Sequence, residues 1–107
     1  MDIVIIQFNA GNILSVQHAL KRIGVDSIVS GDHSRIRNAD KVIFPGVGEA
    51  GSTMTFLRER KLDILLKELT QPVLGICLGL QLMCTHSEEG NTDCIDLFPV
   101  KVKKFPP

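Results

Sequence analysis

A single doubly wound α/β domain, with a parallel sheet covered by helices, is the fold class this sequence predicts, and three features predict it. Short β-branched runs alternate along the chain with longer stretches of helical apolar spacing. The strand-like runs are continuously apolar, as suits strands buried on both faces. Glycine-bearing segments follow two of those runs, at the carboxyl ends of strands where open α/β sheets place their ligands. At 107 residues, 44% of them hydrophobic, the chain can build one core and not two.

Asp2 to Phe8 (DIVIIQF) reads as the first strand. Gly11-Asn12 turns the chain, with Asn12 as N-cap. Ile13, Val16, Leu20 and Ile23 follow at three- and four-residue intervals, an apolar stripe on a helix that Gly24 terminates. Asp26 to Ser30 is the second strand, and residues 31–40, polar and broken by Gly31, read as a loop. Lys41 to Phe44 is the third strand, ended by Pro45, so that Pro45-Gly46-Val47-Gly48 sits at its carboxyl end. Met54, Leu57, Leu62, Leu65, Leu66 and Leu69 predict a helix bent near Arg60-Lys61 into two pieces. Gln71-Pro72 stops it and starts a fourth strand, Val73 to Ile76. Leu80 to His86 reads as a helix, Ser87 to Cys94 as a polar loop, and Leu97 to Phe105 as a weakly alternating strand leaving the doubly wound layer.

Several function classes lose support from composition. A formal net charge of zero favours neither nucleic acid nor an anionic membrane surface as a partner. The longest apolar runs, such as Ile3 to Ile6, are too short to span a bilayer, and a start at Met1-Asp2 lacks the basic-then-apolar order of a secretory signal. The expected location is therefore cytoplasmic. Cys77, Cys84 and Cys94 have the spacing of neither a disulfide framework nor a zinc site, so no metal is expected. Cys84 and Cys94 read as buried thiols.

Cys77 has different neighbours. The segment Pro72-Val73-Leu74-Gly75-Ile76-Cys77-Leu78-Gly79-Leu80-Gln81 sets it between two glycines at a strand-to-helix junction. A residue at so sharp a turn projects its reactive atom above the sheet, and the glycines remove steric conflict. The helix start favours thiolate over thiol and offers the backbone N–H of Leu78 to a tetrahedral intermediate. The loop Pro45 to Gly48 offers another such donor from the neighbouring strand end. An isolated G-x-C-x-G is more often a buried thiol packed between glycines; a second glycine-bearing loop on the same sheet edge favours a reactive one.

Gly75-Ile76-Cys77-Leu78-Gly79-Leu80-Gln81-Leu82, preceded by Pro45-Gly46-Val47-Gly48 and followed by Ser87-Glu88-Glu89, resembles the class I glutamine amidotransferases, of the Cys-His-Glu type. The resemblance covers essentially the whole chain and implies a flavodoxin-like sheet. With Gly11-Asn12-Ile13 also fitting, it is nearest to the glutaminase subunits of imidazole glycerol phosphate synthases in histidine biosynthesis, the glutaminases of vitamin B6 synthesis being the closest confusable group. It implies that Cys77 is the nucleophile, that Gly46, Val47 and Gly48 form the oxyanion strand with Leu78 as a backbone donor, and that Gln81 and Glu89 hold the substrate glutamine. It further implies hydrolysis of glutamine to glutamate, without a cofactor, and delivery of the ammonia to a cyclase subunit with a TIM-barrel fold.

The same resemblance implies that the base and its orienting group lie in a His-x-Glu segment outside these residues. The chain is then expected to be the N-terminal portion of such a domain, inactive alone. Exposed sheet edge and apolar surface should follow, with self-association of copies as one way to cover them. A local histidine does not substitute: His86 lies nine residues past Cys77, about 13 Å along a helix rising about 1.5 Å per residue. His18 falls in the first helix and His33 in the loop after the second strand, and none of the three is expected to be catalytic.

Two rival readings remain at this level. Gly46-Val47-Gly48-Glu49-Ala50-Gly51 spells the G-x-G-x-x-G of dinucleotide sites. Against that reading, it follows the third strand, puts Glu49 where a pyrophosphate should sit, and lacks a ribose-binding acid after the next strand. The other is a flavodoxin-like cysteine hydrolase or redox-sensing domain, which needs an exposed, acidic Cys77 but no glutamine pocket.

Overall fold

The computed structural model describes residues 1–7, 13–46, 49–88 and 91–103. The apolar runs form β1 (Ile3–Ile6), β2 (Ile28–Ser30), β3 (Lys41–Phe44) and β4 (Val73–Gly75). They make one all-parallel sheet in the order β2-β1-β3-β4, the expected fold class. Ile5 stands opposite Val29 on one side and Ile43 on the other, and Phe44 opposite Gly75. Phe8, at the end of the predicted first strand, and the predicted turn and cap at Gly11 and Asn12 lie outside the described residues.

Helix α1 (Ile13–Arg22) ends as its glycine predicts. Gly24 takes φ 78°, its N–H donates to the Lys21 carbonyl at 3.0 Å, and the Val25 N–H donates to Leu20 at 2.9 Å. Those two bonds form a Schellman motif, satisfying carbonyls that a helix end otherwise leaves open. The predicted bend also occurs: α3 (Ala50–Glu59) and α4 (Leu62–Glu68) are separated by Arg60 and by Lys61, which adopts a left-handed φ of 56°.

Three short elements depart from the sequence expectation. Residues 31–40 contain a helix, α2 (His33–Arg37), anchored by the fully buried Ile36; one turn is too short to show a period. Gln71 Nε2 donates to the carbonyls of Ile36, Arg37 and Ala39 at 3.0 to 3.2 Å, tying the α2 exit to the start of β4. Helix α5 (Leu78–Leu82) starts two residues earlier and ends four earlier than the predicted Leu80 to His86. Its extension is pre-empted by long-range bonds, because the carbonyl of Met83 accepts from Leu97 and Phe98, and that of Cys84 from Asp96. The predicted polar loop holds β5 (His86–Ser87) and β6 (Thr92–Asp93), paired antiparallel, while β7 (Lys101–Val102) lies parallel to β5 in a second sheet. Of the predicted terminal strand Leu97 to Phe105, only Lys101–Val102 is strand among the described residues, and it lies outside the doubly wound layer; Phe105 lies outside the described residues.

The two faces of the main sheet are packed unequally. Val4, Ile6, Val42 and Phe44 point into a core shared with Ile36 of α2, Met54 and Leu57 of α3, Leu62, Leu65 and Leu66 of α4, and Leu78 and Leu82 of α5. Each such fully buried side chain contributes about 1.5–3 kcal/mol. The opposite face carries Ile5, Ile43, Leu74 and Ile76 and is approached by α1, none of whose residues is fully buried. Leu74 stays 57% exposed and Ile23 74% exposed. Among the described residues no helix is long and apolar enough to cross a membrane.

At the foot of the sheet Arg35 of α2 grips Asp2 with both guanidinium nitrogens, Nη2 to Oδ1 at 2.9 Å and Nη1 to Oδ2. The Arg35 hydrogen bond holds the Asp2 carboxyl below the ordinary 3.8. A carboxyl depressed in the folded state stabilises fully above its unfolded value and loses that contribution as pH falls through the folded one. Urea midpoints measured from pH 6 down to pH 2 are therefore expected to fall more steeply for the parent chain than for Asp2→Asn on the limb below 3.8. Parallel limbs would remove this account.

Candidate active site

Cys77 follows β4 and precedes α5, with φ 53° and ψ −118°. Only glycine enters that region freely, so the cysteine is held there by its surroundings. Four backbone bonds do the holding. The Ile76 N–H donates to Phe44 at 3.0 Å, Leu78 to Gly46 at 2.9 Å, Gly79 to Ile76 at 3.0 Å and Gln81 to Cys77 at 3.2 Å. The first two come from the end of β3, so the neighbouring strand clamps the turn on either side of the cysteine. The thiol itself is exposed.

The flanking glycines are required by space. A Cβ on Gly79 would overlap the carbonyl oxygen of Phe44 and lie 2.8 Å from its carbon, which is backbone that cannot turn aside. A Cβ on Gly75 would meet Met83 Sδ at 2.5 Å and the Leu80 backbone at 3.0 Å. Sequence reading located the elbow but not these partners: Phe44 and Met83 carry no motif, and their part depends on how β3 and the segment after α5 pack.

Gly46 is brought against the elbow and is buried. Val47 and Gly48 of the same loop, and Glu89, lie outside the described residues. The Leu78 N–H, expected from the sequence to face a reacting oxygen, is engaged here by the Gly46 carbonyl. Gln81 lies one turn along α5, half-buried, and its side-chain Oε1 is buried with no hydrogen-bond partner among the described residues. Such an orphaned acceptor costs about 1–3 kcal/mol unless something donates to it.

The other thiols differ from Cys77 in exposure. Cys84 is buried, its Sγ 3.6 Å from the Leu80 carbonyl. Burial, with Cys84 adding, pushes the Cys94 thiol up from its ordinary value and keeps it protonated. Among the described residues no imidazole is hydrogen-bonded to Cys77. His33, which opens α2 and does not lie in a loop, has Nε2 at 2.8 Å from the Arg60 carbonyl. His86 begins β5, so a distance along a helix does not apply to it; its nitrogens meet Asp93 Oδ1 at 2.9 Å and Asn91 Oδ1 at 3.1 Å. His18 is on α1. No group of three or more His, Cys, Asp or Glu among the described residues could hold a metal ion.

Glu49 has a role the sequence reading did not assign. Its carboxylate accepts from the Gly51 N–H at 2.7 Å and the Ser52 N–H at 2.8 Å, capping α3. The Ser52 bond first, and the Gly51 bond next, hold the carboxyl below its usual range. An acid directly before a helical run was the available signal. A pyrophosphate would need these same N–H groups, so the chain's own carboxylate fills the place a dinucleotide would take.

A family model described as glutamine amidotransferase class-I matches residues 4–104. Imidazole glycerol phosphate synthase subunit HisH of Bacteroides thetaiotaomicron is 57% identical over 107 residues, covering 100% of this chain and 55% of the relative. The subunit of the same name from Bacteroides fragilis is 58% identical over the same span, and that of Idiomarina loihiensis 48% identical over 105 residues. The chain thus spans about half the length of the curated relatives it matches. A solved structure titled as a glutamine amidotransferase superposes with a TM-score of 0.77, covering 94% of this chain and 55% of that one at 18% identity, a likeness of fold.

Two substitutions test the elbow. Gly79→Ala is expected to lower stability by more than about 2 kcal/mol, as a fall in urea midpoint, because a backbone carbonyl must move. Cys77→Gly is expected to be about 1 kcal/mol more stable than Cys77→Ala, since only glycine is free of the φ penalty. Equal midpoints for those two would mean that the turn is unstrained.

Proposed function

The chain belongs to the class I glutamine amidotransferase family, and on that premise we propose that it carries the nucleophile and part of the substrate pocket of a glutaminase. The observation that carries the reading is the exposed thiol of Cys77, held at a positive φ on a glycine-flanked elbow with the Gly46 loop hydrogen-bonded beside it.

In this reading the Cys77 thiolate attacks the side-chain carboxamide carbon of glutamine, and a tetrahedral intermediate forms with its charge on oxygen. Backbone N–H groups of Leu78 and the loop 46–48 receive that oxygen. Protonation of nitrogen breaks the C–N bond, ammonia leaves, and water attacks the resulting thioester to release glutamate and regenerate the thiol. For Leu78 to take part, the Gly46 carbonyl must first let go of it, so the arrangement described is a resting one. The buried Oε1 of Gln81 suits an N–H donor such as the α-ammonium of the substrate, and the family resemblance implies that Glu89 also contacts the substrate.

The family resemblance implies a general base outside these residues, in a His-x-Glu pair; within them, the ring nitrogens of His33 and His86 meet other partners. The 107 residues alone are then expected to show no turnover. The relatives' names, each a subunit of an imidazole glycerol phosphate synthase, support work beside a second subunit of such a synthase; that this partner is a cyclase with a TIM-barrel fold that takes the ammonia, in the cytoplasm, is part of the proposal and rests on the family resemblance.

Incubation with a chloroketone analogue of glutamine, followed by peptide mass mapping, tests the site. The expected outcome is one adduct, on Cys77, suppressed by excess L-glutamine and absent from Cys77→Ser. Labelling spread over Cys77, Cys84 and Cys94, or indifference to glutamine, would overturn the reading.

A further inference from the structure

One contact of the elbow comes from outside its motif. Met83 is the C-cap of α5 and is only 4% exposed. Its Sδ stands 2.5 Å from the place a Cβ of Gly75 would take, so the thioether fills the space over the strand residue two positions before Cys77. The Leu80 backbone comes within 3.0 Å of the same place, which encloses Gly75 between the first turn of α5 and the Met83 side chain.

The main chain of Met83 has a separate task. Its carbonyl accepts from the N–H groups of Leu97 at 2.8 Å and Phe98 at 3.0 Å, while Ile95 donates to Leu82 at 2.8 Å and Asp96 to Cys84 at 2.9 Å. Residues 95–98 thereby satisfy the carbonyls that the end of α5 leaves open. Any residue at position 83 can keep those bonds. The space over Gly75, by contrast, is filled by the side chain.

We infer that Met83 is a positioning residue for the Cys77 nucleophile: the atom at its δ position, packed over Gly75, keeps β4 seated against α5 and so holds Cys77 at its positive φ of 53°. A void at that point removes contact atoms from one side of Gly75. An unfavourable φ persists only while the surroundings over-determine it, so the turn at Cys77 then relaxes. Relaxation swings the Cα–Cβ bond, and the thiol no longer stands out into solvent as it does here. The inference rests on the proposed role of Cys77 and adds what keeps its thiol in place.

The test is alkylation of the full 107-residue chain with iodoacetamide, well below the thermal transition of each variant, read as a rate constant at Cys77 by peptide mass mapping. Leu keeps an atom at the δ position, whereas Val stops at γ and Ala at β. Met83→Leu is expected to react within a factor of about two of the parent, and Met83→Val and Met83→Ala about fivefold or more slowly. Leu66→Ala, which truncates an equally buried side chain of α4, is expected to lower the thermal transition as Met83→Ala does and to keep the parental rate at Cys77. Should Met83→Ala not fold, Met83→Val against Met83→Leu decides. A parental rate in Met83→Val, an equal loss in Met83→Leu, or equal slowing by Leu66→Ala would each overturn the inference. Iodoacetamide needs no glutamine pocket: labelling of the parent that ignores glutamine overturns the proposed function, and the iodoacetamide rates judge only what holds Cys77.

Discussion

The close approach of Gly79 to the Phe44 carbonyl is the constraint on which the rest of this structure depends. It lets α5 begin directly over the end of β3, and only then can Ile76 and Leu78 bond to Phe44 and Gly46 on either side of the turn. With both flanks tied to a neighbouring strand, the residue between them has no freedom to relax out of its unfavourable φ. The exposed thiol is thus a product of backbone geometry in two strands, and the large buried residues of α3 and α4 serve it by fixing β3 from below.

What could be read from the letters follows the same division. The parallel sheet, the helix ended by Gly24 and the break at Lys61 were legible because each is local: a run, a period, a residue able to take positive φ. The placement of Cys77 between glycines was legible for the same reason. The short α2, the early end of α5 and the β5–β6 pair were not. α2 and the β5–β6 pair are too short to show a period, and the α2 exit and the end of α5 are fixed by bonds to distant residues, Gln71 to the α2 carbonyls and Leu97 and Phe98 to Met83. The occupation of the Leu78 N–H by Gly46 belongs to this class as well. A motif says which donor is near the reacting atom and leaves open what that donor bonds meanwhile.

The unequal faces of the sheet belong to the same picture. On one side β-branched residues meet four helices and disappear from solvent; on the other an equally apolar set meets a single helix whose own residues remain partly wet. Strand composition anticipated burial on both faces. That expectation is met for Ile5 and Ile43 but not for Leu74, a direct measure of how much covering surface the described residues lack.

The carboxylate of Glu49 has a consequence for recognising nucleotide sites from sequence. Glycines spaced as in a phosphate cradle are not by themselves a phosphate site, and here the third leaves room for the side chain two positions before it, since a Cβ on Gly51 would sit 2.8 Å from Glu49 Oε1. The informative letter in such a pattern is therefore the one just after the second glycine. An acid there turns an anion receptacle into a plugged socket, and a search that weighs only the glycines will mistake the plug for a vacancy.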